Sequence, residues 1–300
     1  MIIVNLKGGL GNQMFQYAAG RALSIKNKLS LKLDVTGYRP RNYNPGDTVR
    51  AFGLSHFNIK AEVATDEEVR KAKYPFGIFS KAARFLRAKV FRVFYTDYHP
   101  DLVAKITPST KSFYLDGFFQ TDLYFKDIKN TIQDDLSLNA PLSAAAQEAA
   151  DRILERGEAS VSLHIRRGDY VSNAKTQQAH GTVTLDYYHR AIAAIAERVK
   201  AKKPGMFPTF FIFSDDIEWA KENIRPEYET VYVSRPEIAD YEEMHVMSLC
   251  QSHIVANSTF SWWAAWLDRH DDALVIAPKK WSNVVPDDHP NIIPRSWVRM

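Results

Sequence analysis

Cysteine is nearly absent: Cys250 is the only one in 300 residues, so no internal disulfide can form and a reducing compartment is permitted. Its context, MSLCQSHIV, is apolar and marks it as core filler. No run approaches the roughly 18 apolar residues of a membrane span. The opening MIIVNLKGGLGN lacks the basic stretch that starts a secretory leader. A cytoplasmic location is therefore expected. The net charge of +4 falls short of the basic excess of a nucleic-acid binder and suits a small anionic ligand better. Internal repeats and low-complexity tracts are missing too. What remains is a chain that is 45% hydrophobic, enough for a sizeable core divided between two medium domains.

The start reads as strand, glycine-rich turn, helix, strand: IIVNL, KGGLGN, a helix from about Gln13, then LSLKLD. Met14, Ala18, Ala22, Ile25 and Leu29 recur at helical spacing and define an apolar face. Residues 38–108 are irregular, aromatic and basic, with a further strand candidate in SFYLDGF. An alanine-rich helix near 142–156 ends at Gly157, which sets the expected domain boundary, 1–157 and 158–300. From Ala159 onward, SVSLHI, TFFIF, TVYV, HIVA and ALVIAP alternate with helical segments, the mark of a second parallel sheet covered on both faces. The fold class is α/β, with two nucleotide-binding-like domains and a cleft between them.

Four segments carry chemistry. In the turn Gly8-Gly9-Leu10-Gly11-Asn12-Gln13, free backbone N–H groups at a helix start favour an anion. No Lys-Ser/Thr pair follows, so it is not a Walker A loop, and Met14 replaces the third glycine of a dinucleotide fingerprint. His164-Ile165-Arg166-Arg167-Gly168-Asp169-Tyr170 emerges from the carboxyl end of SVSLHI, where open α/β sheets bind ligands. Two adjacent guanidiniums there suit a diphosphate, each bidentate contact contributing about 1.5–3 kcal/mol. Phe213-Ser214-Asp215-Asp216 ends the next strand. Its carboxylates suit a metal, a purine edge, a ribose or a helix N-cap. Asn257-Ser258-Thr259-Phe260-Ser261-Trp262-Trp263 opens a helix with consecutive hydroxyls, which suit phosphate, while the tryptophans read as core.

Together these segments resemble the α-1,2-fucosyltransferases, glycosyltransferase family 11, at GGLGNQMFQYA, HIRRGDY, FSDD and STFSWW, across almost the whole chain. The resemblance implies a GT-B architecture of two Rossmann-like domains facing a cleft. It implies inverting transfer of fucose from GDP-fucose to the 2-hydroxyl of a terminal galactose on a glycan acceptor, with no metal and no further cofactor. By motif, Arg166 would bind the β-phosphate with His164 and Arg167 beside it. Asp169 would shape the site, and Asp215 or Asp216 would read guanine or ribose. Ser258, Thr259 and Phe260 would meet the phosphates, while Gly11 and Asn12 would approach the diphosphate or fucose from the other domain. Asp169, His180 and Asp186 are open alternatives for the base that accepts the hydroxyl proton.

Animal members of that family carry an N-terminal membrane anchor, whereas this sequence starts at its first strand, so a bacterial cytosolic form is expected. The segment KAARFLRAKVFRVF at 81–94 is basic and partly amphipathic. It reads as a solvated face, with peripheral membrane contact as the alternative. Two rival functions remain. Asp34 after the second strand imitates the ribose-binding acid of an NAD enzyme, and a nucleotide-sugar or glycan binder that has lost turnover would keep the same motifs.

Overall fold

The computed structural model describes residues 1–40, 49–73, 93–94, 113–168, 177–178, 181–283 and 292–300. They form two compact units, Met1–Asn139 and Ala140–Met300. The first contains β1 (Ile2–Asn5), α1 (Leu10–Asn27), β2 (Leu31–Asp34), β3 (Glu62–Val63), α2 (Asp66–Lys73), β4 (Val93–Phe94), β5 (Phe113–Leu115) and α3 (Lys129–Asp135). Its strands are all parallel in the order β3-β2-β1-β5-β4. Chain order runs outward on one side of β1 and resumes on the other, so the reversal falls between β1 and β5.

Helix α1 starts earlier than the periodicity predicts and is buried on more than one side. Met14 and Ala18 are buried as expected, but Ile25 is 40% exposed, while Phe15, Tyr17, Ala19 and Leu23 are buried as well. The extra cover comes from distant sequence. Phe15 packs on Phe125 with ring centroids 6.1 Å apart, and the Tyr17 hydroxyl donates to Asp135 of α3 at 2.7 Å. Local spacing carries no signal of such a partner.

The second unit comprises α4 (Ala144–Arg156), β6 (Ser160–Ile165), α5 (Leu185–Lys202), β7 (Thr209–Ser214), α6 (Ile217–Asn223), β8 (Thr230–Tyr232), α7 (Asp240–Ser248), β9 (Ser252–Ile254), α8 (Thr259–Leu267), β10 (Leu274–Ala277) and β11 (Val298–Arg299). The order β11-β10-β9-β6-β7-β8, wholly parallel, is the dinucleotide-fold order 3-2-1-4-5-6 counted from β6. Every residue of β6 and β7 is buried, as expected of central parallel strands covered on both faces. Burial of each large side chain, such as Phe210, Phe211 or Ile212, contributes about 1.5–3 kcal/mol.

Helix α4 ends at Gly157, as predicted, with φ 48°. It nevertheless belongs to the second unit, which moves the boundary from 157 to 139. The reason is a polar clamp: buried Glu242 of α7 accepts from the Ser143 backbone N–H at 2.6 Å and from its hydroxyl at 3.1 Å, tying the α4 N-cap to α7. The same core holds a buried polar chain, in which Ser162 Oγ lies 2.7 Å from His253 Nδ1 and His253 Nε2 lies 3.0 Å from Asp268 Oδ2. Cys250 is fully buried. Among the described residues, no helix is long and apolar enough to cross a membrane.

Candidate functional site

In open α/β sheets, ligands bind at the carboxyl ends of strands where the strand order reverses. In the second unit that reversal lies between β6 and β9. The residues immediately after β6 are Arg166, Arg167 and Gly168, and those after β9 lead through Asn257 into Ser258, Thr259 and Phe260. Sequence-distant motifs are thus brought together by topology, and the His164 and Phe260 rings lie 5.6 Å apart. Helix α5 fixes this edge: the Tyr188 hydroxyl donates to the His164 carbonyl at 3.3 Å, and that of Tyr187 donates to the Val255 carbonyl at 2.7 Å. Ser258 caps α8 by accepting from the Phe260 N–H, and Trp262 and Trp263 are fully buried, as predicted.

The aspartates after β7 are engaged by the arginine motif. Asp215 accepts from Arg166 Nη1 at 2.8 Å through Oδ2 and from the Arg167 backbone N–H at 2.8 Å through Oδ1. Asp216 pairs with Arg167 Nε at 3.2 Å through Oδ2 and caps α6 by accepting from the Trp219 N–H through Oδ1. The Arg167 guanidinium also lies over the Trp219 ring, 3.9 Å from its centroid. A Cβ on Gly168 would overlap the Asp215 carboxylate where it now lies, so glycine lets that side chain approach the arginine loop this closely. Both carboxylates therefore hold arginines. In this arrangement Asp215 orients Arg166 and the start of the arginine loop.

His164 is 3% exposed, and its Nδ1 has no hydrogen-bond partner among the described residues. Burial, with a smaller contribution from Arg166, lowers its pKa to about 3, so the imidazole is neutral at any physiological pH. A buried nitrogen left unpaired costs about 1–3 kcal/mol, which a ligand atom at this edge would relieve.

Glu243, in the first turn of α7, was not singled out by sequence reasoning. It is half-buried and accepts from the Ser234 hydroxyl, which itself accepts from the Ser214 N–H at 2.8 Å. Burial, then the charges of Asp240 and Asp215, outweigh the Ser234 bond and push its pKa up to about 7. Its sequence signal was weak, because an acidic residue in a first helical turn is ordinary.

In the first unit, the glycine-rich turn is clamped from within. Fully buried Gln13 donates to the carbonyls of Gly8 at 3.2 Å and Ala51 at 2.8 Å, and Gln16 accepts from the Lys7 N–H at 3.0 Å. Gly8 has φ 83°, which favours glycine. Gly11 is buried, and Asn12 accepts from Gln120 Nε2 at 2.8 Å. Asp34 is consumed by structure: Tyr114, Thr36 and Lys73 Nζ all contact its fully buried carboxylate, the last at 2.7 Å. Burial alone would raise its pKa, but these partners hold the carboxyl below the usual range. The ribose-binding role of an NAD enzyme is therefore closed to it.

Of the three proton-acceptor candidates, Asp169 and His180 lie outside the described residues, as does most of the 81–94 segment. Asp186 sits exposed on the first turn of α5, paired with Arg190 at 2.8 Å in ordinary i,i+4 fashion. A cavity of about 590 Å³ lined by Arg156, Phe207, Tyr228 and Glu229 opens at the amino ends of β7 and β8, the edge opposite the motifs.

Two Rossmann-like units of parallel strands, with the motifs at their carboxyl edges, define an α/β glycosyltransferase of the GT-B class. The chain belongs to glycosyl transferase family 11, whose model matches residues 92–299. It is 35% identical to the alpha-1,2-colitosyltransferase of Escherichia coli, over 100% of this chain and 99% of that protein. It is 32% identical to the O-antigen biosynthesis glycosyltransferase WbnK of Escherichia coli, over 92% of this chain and 93% of the relative. The crystal structure of fucosyltransferase NodZ from Bradyrhizobium superposes with a TM-score of 0.52 at 15% identity, covering 90% of this chain and 95% of NodZ, a likeness of fold.

Proposed function

We propose that this glycosyltransferase takes a 6-deoxyhexosyl group from a GDP-sugar and places it on the 2-hydroxyl of a terminal galactose, with inversion, in the assembly of a bacterial surface glycan. The observation that carries the reading is the buried edge between β6 and β9, where Arg166, Arg167, neutral His164 and the capped start of α8 converge. Cleavage of the sugar C1–O bond leaves a diphosphate anion and an oxocarbenium-like sugar, and arginines fixed in advance by Asp215 and Asp216 favour that charge separation without reorganising. Arg166 is the principal electrostatic residue. His164, carrying no charge, contributes a hydrogen bond to phosphate. The acceptor oxygen bonds to C1 as GDP leaves, and its proton passes to a base.

Glu243 takes over the nucleoside role first expected of Asp215 and Asp216. A carboxylate held by Ser234 beside the end of β7 suits the two N–H donors of a guanine edge. Binding those donors favours its ionised form.

For the donor sugar, the motif set favours fucose. The likeness to a colitosyltransferase along the full chain favours colitose, the 3-deoxy analogue of fucose, and keeps it as the second reading. The deciding experiment is GDP release by purified protein from GDP-fucose and from GDP-colitose, each with and without lactose, in EDTA and beside an NAD thermal-shift control. Galactoside-dependent release from one donor establishes the class and names the sugar. No release from either, with stabilisation by GDP alone, would convert the reading to a non-catalytic binder.

A further inference from the structure

The reversal point of the first sheet carries its own polar cluster, and no motif had drawn attention to it. At the end of β1 stand Asn5 and Lys7, and directly after β5 stands Asp116. Its Oδ1 accepts from Asn5 Nδ2 at 2.9 Å and from Lys7 Nζ at 3.1 Å. Its Oδ2 has no partner among the described residues, and the side chain is 23% exposed. The Lys7 ammonium lies 4.6 Å from the centroid of the Phe118 ring. One residue further, Phe119 is buried with φ 54°, a left-handed backbone that a bulky side chain rarely adopts. Gln120 then reaches back to Asn12 at 2.8 Å.

The chemistry of the cluster differs from that of an anion site. A carboxylate with one oxygen fixed and one presented, a primary ammonium, the side-chain amides of Asn5, Asn12 and Gln120 and a partly exposed aromatic ring suit a neutral polyol. The carboxylate accepts from hydroxyl groups, the ammonium and amides donate to them, and the ring covers an apolar sugar face. Strain persists only where surrounding structure over-determines it, and it gathers at ligand-binding segments. The unusual backbone at Phe119 turns the chain between Asp116 and Gln120, so that both return to the edge formed by β1 and the glycine-rich turn.

We propose that the Asp116, Lys7 and Asn5 cluster binds hydroxyl groups of the acceptor sugar, with Asp116 Oδ2 as the principal hydrogen-bond acceptor and Phe118 supplying the apolar contact. The inference rests on the glycosyltransferase reading above and assigns its acceptor-side residues.

The test compares wild type, Asp116→Asn, Lys7→Ala and Lys7→Arg in steady-state transfer to lactose, with donor binding followed separately by calorimetry using GDP. Asp116→Asn is expected to raise the lactose KM at least tenfold while GDP affinity stays within twofold of wild type. Lys7→Ala should raise it less, and Lys7→Arg should restore it. A lactose KM within twofold of wild type in Asp116→Asn overturns the proposal, as does a parallel loss of GDP affinity or thermal stability in both Asp116→Asn and Lys7→Ala. If wild type itself binds GDP but transfers to no galactoside, the transferase reading fails instead. Titration of lactose into the GDP-bound protein then decides the cluster independently: binding weakened by Asp116→Asn retains it, and binding that Asp116→Asn leaves intact removes it.

Discussion

Both sheets change sides beside their first strand, though the second then runs outward (3-2-1-4-5-6) and the first returns inward (3-2-1-5-4), and they furnish that place with opposite chemistry. After β6 stand two guanidiniums locked by two carboxylates, beside a neutral buried imidazole and a hydroxyl-capped helix. After β1 and β5 stand one carboxylate, one ammonium and side-chain amides. The shared feature, a switch of sides beside the first strand, supplies only a place where strand ends diverge. What each place binds follows from whether the groups there are fixed cations or mixed donors and acceptors. Fold alone is therefore silent about the ligand, and the residues after the strands decide it.

The sharpest way to break this contrast is Arg166→Ala. Removing a preorganised cation facing developing negative charge should lower kcat by about 100- to 1000-fold, with circular dichroism and melting temperature near wild type. Near-normal turnover would dissolve the assignment of the second edge to a diphosphate.

Gly168→Ala tests the positioning rather than the charge. A methyl group there displaces the Asp215 carboxylate from Arg166 and the Arg167 N–H. A fall in kcat of about tenfold or more is expected, a loss on the scale of 1.4 kcal/mol, with the acceptor KM unchanged.

A subtler effect concerns pH. With its pKa raised to about 7, Glu243 binds more protons in the folded than in the unfolded chain, so its contribution to stability is present at low pH and is lost as pH rises through 7. Donor binding that favours the ionised form should instead strengthen as pH rises from 6 to 8. Because the diphosphate of an intact GDP-sugar does not titrate in that range, calorimetry with the intact donor reads Glu243 directly. Glu243→Gln should flatten the slope and weaken binding about tenfold.

The smallest expected effect is that of EDTA, which should leave transfer undiminished because the two arginines held by Asp215 and Asp216 already supply the positive charge that a departing diphosphate needs. Loss of activity restored by manganese would reverse that inference.

Most of the second unit was legible in the sequence because its strands are long, wholly buried and punctuated by polar motifs at their carboxyl ends. SVSLHI and TFFIF both match their strands, and the tryptophans after Ser261 fall in the core as read. The first unit was less legible, since β3 and β4 span two residues each and carry no periodicity to detect. The boundary was misplaced for a similar reason: the pull of Glu242 on Ser143 joins residues far apart in sequence. Asp215 and Asp216 were recognised as important, but their partners were not, because only the register of β6 beside β7 brings the aspartates against the arginines. Asp116 was passed over although it follows a strand just as Arg166 does.

The buried chain of Ser162, His253 and Asp268 reproduces the residue order of a hydrolase triad inside a sheet core. Ser162 and His253 are each no more than 1% exposed, and Asp268 is 3% exposed. The ring is turned the other way, however: the serine faces Nδ1 and the aspartate Nε2, whereas a hydrolase serine faces Nε2 and its aspartate Nδ1. The hydroxyl sits in mid-strand with its neighbours paired on both sides, and no acyl group can reach it. A fluorophosphonate probe should leave the folded enzyme unlabelled, a practical reminder that nucleophile geometry has meaning only where a substrate has a route in.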